Sequence, residues 1–101
     1  MAITMPTGAS ELGRTFAEAA QNEPLAKELW VTARHDGVHL WLLIERAGDD
    51  DERRLFRLLD LLDERFPETD FQLHVLNPAS YTIDLHDVLP KDAEKIFSHA
   101  A

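Results

Sequence analysis

Asp36-Gly37 stands between two runs of strand-forming residues, and this dipeptide constrains the fold more than any other feature of the chain. Both residues tolerate positive φ, the condition for a tight turn between antiparallel strands. The run before it, residues 29–35, holds Trp30, Val31 and Thr32, which suit a pleated surface. The run after it, residues 38–45, is apolar on both faces beyond His39. A strand of that kind is central in its sheet and covered on both sides. A β-hairpin follows, with its second strand in the middle of a sheet. Trp41 in that strand needs a partner for its indole N–H, or an exposed edge for it.

The rest of the chain supplies helices and a further strand. Ser10 can cap a helix, and Leu12, Phe16, Ala19 and Ala20 recur at helical spacing, so a helix is expected over residues 10–22 and ends before Pro24. Gly48 precedes Asp49, Asp50, Asp51 and Glu52, four acids that complement the positive end of a helix dipole. Asp49 with Arg53 and Asp50 with Arg54 have the favourable i,i+4 order. Leu55, Leu58, Leu59, Leu62 and Phe66 form one apolar stripe, widened by Phe56 and Leu61 and stopped by Pro67. Phe71, Leu73 and Val75 alternate with Gln72, His74 and Leu76, the mark of a third strand, which Asn77-Pro78 breaks. Residues 81–88 read as a loop, with a short strand over 81–85 as the alternative. Pro90 suits the first turn of a last short helix, with Ala93, Ile96 and Phe97 facing inward and Asp87 available as a cap.

The fold class is therefore α/β of the α+β kind, a small mixed sheet of three or four strands packed with helices in the order α-β-β-α-β-(β)-α. Residues 10–101 form a single domain behind a loose lead-in over residues 1–9. The second and third strands are linked through a helix, so they are expected to be parallel with a right-handed crossover. Helices cover one face. The other is left to the N-terminal helix or to a twin subunit.

A chain of 101 residues can bury one core and no more. Ten basic residues against 19 acidic ones give a formal net charge of −9, which repels phosphate backbones and anionic lipid. Neither nucleic acid nor membrane is an expected partner. The absence of cysteine removes disulfides, thiolate catalysis and cysteine-held zinc. The first eight residues lack the basic and apolar regions of a signal peptide. The longest apolar run, residues 40–44, is too short to span a bilayer. The expected location is cytoplasmic, by default.

Five histidines, His35, His39, His74, His86 and His99, are the residues with the most chemistry to offer. No HExxH motif joins them. His39 and His74 lie on strands expected to be neighbours, and Asp84 and His86 follow on. These four would form a metal site if the fold gathered them; scattered surface histidines are the expectation. Asp84 and His86 are placed on one side by alternation, with Asp87 on the other. Ser10, Ser80 and Ser98 lie in no GxSxG setting, and the four glycines are too dispersed for a phosphate loop. The acidic run at 49–52 lacks calcium-loop spacing. Arg53, Arg54 and Arg57 read as a solvated helix face. No catalytic residue and no cofactor is expected.

The order of elements resembles the minimal nucleotidyltransferase core, a family that includes antitoxin partners of toxin–antitoxin pairs. Its members carry a Gly-Ser turn, a strand with Asp-x-Asp and a later strand with a third Asp. Residues 39–44 stand at the Asp-x-Asp strand, residues 71–76 at the third-Asp strand, and residues 91–99 at the closing helix. The chain departs where the chemistry lies. His35-Asp36-Gly37 replaces the Gly-Ser turn, His39 and Trp41 hold the Asp-x-Asp positions, and neither Gln72 nor His74 supplies the third carboxylate. Those carboxylates hold the two catalytic Mg²⁺ ions of such enzymes. The resemblance thus implies a non-catalytic copy.

The leading expectation is a non-enzymatic interaction module that self-associates as a homodimer through Trp30, Trp41, Phe56 and Leu61, apolar surface beyond what three strands can cover. Two alternatives stand beside it. One is a small metal-dependent enzyme using His39, His74, Asp84 and His86. The other is an antitoxin-like acidic protein that neutralises a basic partner.

Overall fold

The computed structural model describes residues 7–98. Along the chain run α1 (Thr7–Ala20), β1 (Ala26–Arg34), β2 (Gly37–Ile44), α2 (Asp49–Phe56), α3 (Leu59–Arg65), β3 (Phe71–Leu76), a 3-10 turn (Pro78–Ser80), α4 (Leu85–Val88) and β4 (Glu94–Ser98). The four strands form one mixed sheet in the order β3-β2-β1-β4. β1 runs antiparallel to both β2 and β4, and β2 runs parallel to β3. The expected α/β class, the hairpin and the parallel pairing after a helical crossover are all present.

The hairpin turns one residue earlier than expected. Arg34 pairs with Gly37, so the two loop residues are His35 and Asp36. Gly37 has φ of 128°, and no non-glycine residue described has positive φ. This is the pattern of a turn followed by a bulge glycine, in which only the glycine leaves the ordinary backbone region. The Gly37 position is also crowded. A β-carbon there would fall inside the contact distance of the Asp70 carbonyl, which accepts a 2.9 Å hydrogen bond from the Val38 N–H. The hairpin and the start of β3 are thereby locked together.

Alternation along the strands sorts the residues onto two faces. On one lie Leu29, Val31, Leu40, Leu42 and Leu73, all buried with Leu12, Phe16 and Ala20 of α1 and with Leu55 and Leu62 of the crossover helices. Gly13 of α1 sits over Val31 and Ile96. This helical layer accounts for the core.

Other boundaries differ from expectation. α1 covers residues 7–9, which had been assigned to the lead-in, and Ser10 lies inside the helix, not at its start. Met1 to Pro6 and His99 lie outside the described residues. The helix expected from Gly48 to Phe66 is two helices with a turn at Arg57 and Leu58. Its ion pairs are Asp50–Arg53 and Asp51–Arg54, three residues apart, and Arg54 also reaches Glu23. Asp51 accepts from the Gly48 N–H, so a carboxylate caps a helix whose N-cap residue has no side chain. Residues 81–85 form no strand; Asp84 caps α4 by accepting from the His86 N–H at 2.9 Å, and Asp87, expected to cap the helix after Pro90, lies inside α4. The last helix expected after Pro90 is strand β4, whose backbone pairs with the open edge of β1.

Candidate functional site: the open face of the sheet

The second face of the sheet carries a different set of side chains: Glu28, Trp30, Thr32 and Arg34 from β1, His39, Trp41 and Leu43 from β2, Gln72, His74 and Leu76 from β3, and Lys95 from β4. Register aligns four of them in one row across all four strands. Lys95 pairs with Trp30, Trp30 with Trp41, and Trp41 with His74. At one end, Leu43 and Leu76 are buried near the segment that carries Asn77 and α4. Elsewhere this face has no helix over it among the described residues. β2 is central, as its apolar run implied, but it is covered by helices on one side only. The N-terminal helix does not supply the second cover.

Both indoles are held by their polar ends. Trp30 donates Nε1–H to Glu28 Oε1 at 3.0 Å, and Trp41 donates to Thr32 Oγ1 at 3.1 Å, which satisfies the otherwise buried threonine. The ring of His74 stacks on Trp41 at 4.0 Å between centroids, with the planes 12° apart. Lys95 Nζ lies 5.3 Å from the Trp30 ring, within reach of a cation–π attraction. The two indoles and the His74 ring are held in place and only partly buried.

Beside Trp41, three titratable groups stand in line. Asp36 Oδ1 lies 3.1 Å from His39 Nε2, and His39 Nδ1 lies 2.9 Å from His74 Nε2. The two imidazole planes are 10° apart with centroids at 5.2 Å. A centroid separation so much longer than the nitrogen distance puts the rings edge to edge in nearly one plane. Tautomers follow from the partners. The Asp36 carboxylate takes the Nε2–H of His39, so His39 Nδ1 accepts from the Nε2–H of His74. His74 Nδ1 is then left with a lone pair, and it has no protein partner among the described residues. The hydrogen bond from His39 lowers the Asp36 pKa below the ordinary carboxylate value. Burial, and then the neighbouring His39, lower that of His74.

A second cluster sits at the end of the face. His86 Nε2 meets Glu28 Oε2 at 2.9 Å and His86 Nδ1 meets Asp84 Oδ1 at 3.1 Å, with the imidazole edge-on to Trp30. Asp84, and less strongly Glu28, raise the His86 pKa, although partial burial opposes them. The backbone and side chain of His86 in turn lower that of Asp84. A cleft of about 160 Å³ opens here, lined by Glu28, Leu43, Ile44, Pro78, Leu85 and His86 among others.

The structure therefore gathers the four expected metal-site residues as two pairs, His39 with His74 and Asp84 with His86. Among the described residues no group of three or more histidine, aspartate or glutamate side chains is arranged to hold a metal ion. Both nitrogens of His39 are already engaged. The four expected interface residues divide as well. Trp30 and Trp41 belong to the open face, whereas Phe56, 44% exposed, and the half-buried Leu61 belong to the helical layer. They make no single patch. Sequence reading missed Glu28, Thr32, Asp36 and Lys95. The signal was in β1 itself, where Glu28, Trp30, Thr32 and Arg34 alternate with Leu29, Val31 and Ala33.

No protein-family model, no curated protein and no solved structure matches the chain. Among the described residues, no helix is long and apolar enough to cross a membrane.

Proposed function

We propose that the chain is a non-enzymatic interaction module that pairs with a second copy of itself through the open face of its sheet. The observation that carries this reading is the in-register row Lys95–Trp30–Trp41–His74 lying on a face without a helical cover. A row whose two indoles are fixed in place and only partly buried loses water at little cost in side-chain entropy. The aromatic content suits the centre of an interface.

Mixed charge on the open face is compatible with a second copy as the occupant. The chain carries −9 overall, but the open face also holds cations: Arg34, paired with Asp92, and Lys95, beside the carboxylates Glu28 and Asp36. Mixed charge there lowers the repulsion between two such chains relative to a wholly acidic face. A two-fold axis would set the same patch against itself, the commonest symmetry of soluble oligomers. The longer dimensions of the molecule, 34 and 32 Å, leave room for the roughly 800 Å² per partner of a standard interface.

Light scattering over a range of protein concentrations tests the reading. We expect a dimer, and we expect Lys95→Glu, at an exposed site beside Trp30, to weaken it without loss of fold. A monomer at every concentration would overturn the proposal, as would a dimer insensitive both to Lys95→Glu and to Trp30→Ser. Binding of a basic polypeptide by such a monomer would transfer the face to a different partner.

A further inference from the structure

We infer that the outer edge of β3 is a second contact between copies of the chain, at which two β3 strands pair antiparallel about a two-fold axis at Leu73 and join two sheets into one. The two edges of the sheet differ. β4, at one edge, carries Glu94 and Lys95 and meets β1 through a shift in register. Charged residues and irregular pairing are the devices that keep an edge strand from taking on another chain. β3, at the other edge, is Phe71-Gln72-Leu73-His74-Val75-Leu76, with no carboxylate, lysine, arginine or proline, in a chain of net charge −9. Its register with β2 runs unbroken along the strand. This edge carries none of those devices.

One hydrogen bond fixes which backbone groups the edge offers. The Val38 N–H donates to the Asp70 carbonyl, while Val38 lies level with Phe71. In a parallel ladder a residue bonds to the two neighbours of the one beside it, so the backbone groups of Asp70, Gln72, His74 and Leu76 turn to β2. The N–H and C=O of Phe71, Leu73 and Val75 turn outward. Among the described residues none of these outward groups has a hydrogen-bond partner.

The order of residues in the strand points to a second β3 as the occupant. About an axis at Leu73, Leu73 meets Leu73 of the second copy, Phe71 meets Val75, and Gln72 meets His74. Every outward N–H then faces an outward C=O, in both directions, and none is left over. An axis normal to the sheet keeps each side chain on its own face. Phe71, Leu73 and Val75 therefore meet their counterparts on the helical side, and Gln72 and His74 on the open side. Phe71 and Val75 are half-buried in the single chain, so the helical layer leaves part of each uncovered. An aromatic residue opposite a β-branched one is a favourable cross-strand pair. The nearest carboxylate, Asp70, falls opposite Leu76, so no acid meets an acid.

This contact goes beyond the open face and does not rest on it. Its axis is normal to the sheet, whereas the axis of an open-face dimer lies parallel to the sheet, so the two contacts do not compete. A single strand pair covers less than a standard interface, so the edge joins dimers to one another at higher concentration than the open face needs.

Two measurements test the edge pairing. The chain has no cysteine, so introduced thiols report without background. Phe71→Cys chains are mixed with Val75→Cys chains and oxidised, with circular dichroism confirming the fold of each. Opposed residues of a hydrogen-bonded antiparallel pair lie about 5.5 Å apart at Cα, within the reach of a disulfide, whereas like residues in this register lie several positions apart along the strands. We expect mass spectrometry to show the mixed disulfide far above its random share. In the unaltered protein, exchange of the Phe71, Leu73 and Val75 amides is expected to slow at least about tenfold as protein concentration is raised, with Gln72, His74 and Leu76 protected throughout. An open-face dimer supplies no hydrogen bond to those amides. Mixed and like disulfides in random proportion, or outward amides that exchange equally fast at every concentration, would overturn the inference and leave the open-face reading in place. Mixed disulfides from a protein whose mass ignores both Trp30→Ser and Lys95→Glu would support the edge contact and remove the open-face one.

Discussion

At the scale of single residues, Gly37 is the position where sequence and backbone constrain each other most. Its φ of 128° strains any residue with a β-carbon, and the Asp70 carbonyl occupies the space that carbon would take. Gly37→Ala is expected to lower the unfolding free energy by more than about 2 kcal/mol. Urea denaturation would read this as a lower midpoint at unchanged slope. The glycine was legible as a turn residue from sequence. Its role as the bulge after a His35-Asp36 turn was not, because the register of a hairpin is settled by which side chains reach the core. The same limit hid the line of Asp36, His39 and His74. His39 and His74 were recognisable as strand residues, but their approach depends on the parallel register that sets Trp41 opposite His74. Asp36 read as part of a turn.

At the scale of elements, α4 shows how a four-residue helix is held in place. Such a helix has too few internal hydrogen bonds to persist alone. It is capped by Asp84 and pinned to β1 by His86, which reaches Glu28. The His86 pKa is raised above the ordinary histidine value, chiefly by Asp84 and further by Glu28. A raised folded-state pKa means that the stabilisation is fully present below the unfolded value and is lost as pH rises through the folded one. The backbone amides around α4 are therefore expected to exchange with solvent faster, relative to the core strands, at pH 8 than at pH 6, once the intrinsic pH dependence of exchange is removed. His86→Ala would show the faster exchange at both. Sequence reading failed in this third of the chain for a physical reason. Glu94-Lys95-Ile96-Phe97 shows no clean alternation, and Pro90 is a reasonable helix opener. The edge of β1 makes it a strand, a tertiary pairing that local propensity does not encode. By contrast, the doubly apolar run of β2 placed that strand correctly at the centre of the sheet, and the apolar stripe from Leu55 to Phe66 placed both crossover helices even though the turn at Arg57 divides them.

At the scale of the whole molecule, the charge sets how the proposed association would answer to salt. Like-charged chains repel, and added salt screens the repulsion. Dimer affinity at neutral pH is thus expected to rise as salt is increased from about 0.01 M to about 0.15 M. A complex with a basic partner would weaken over the same range. Titration of salt in a sedimentation experiment separates the two.

The strand order β3-β2-β1-β4 also bears on how the protein is made. The hairpin at the centre of the sheet is complete by Ile44, while the strands that flank it begin only at Phe71 and Glu94. A chain leaving the ribosome from its N-terminus therefore displays a finished hairpin with both lateral edges bare. Those edges stay open to any other nascent strand until about half of the polypeptide has followed.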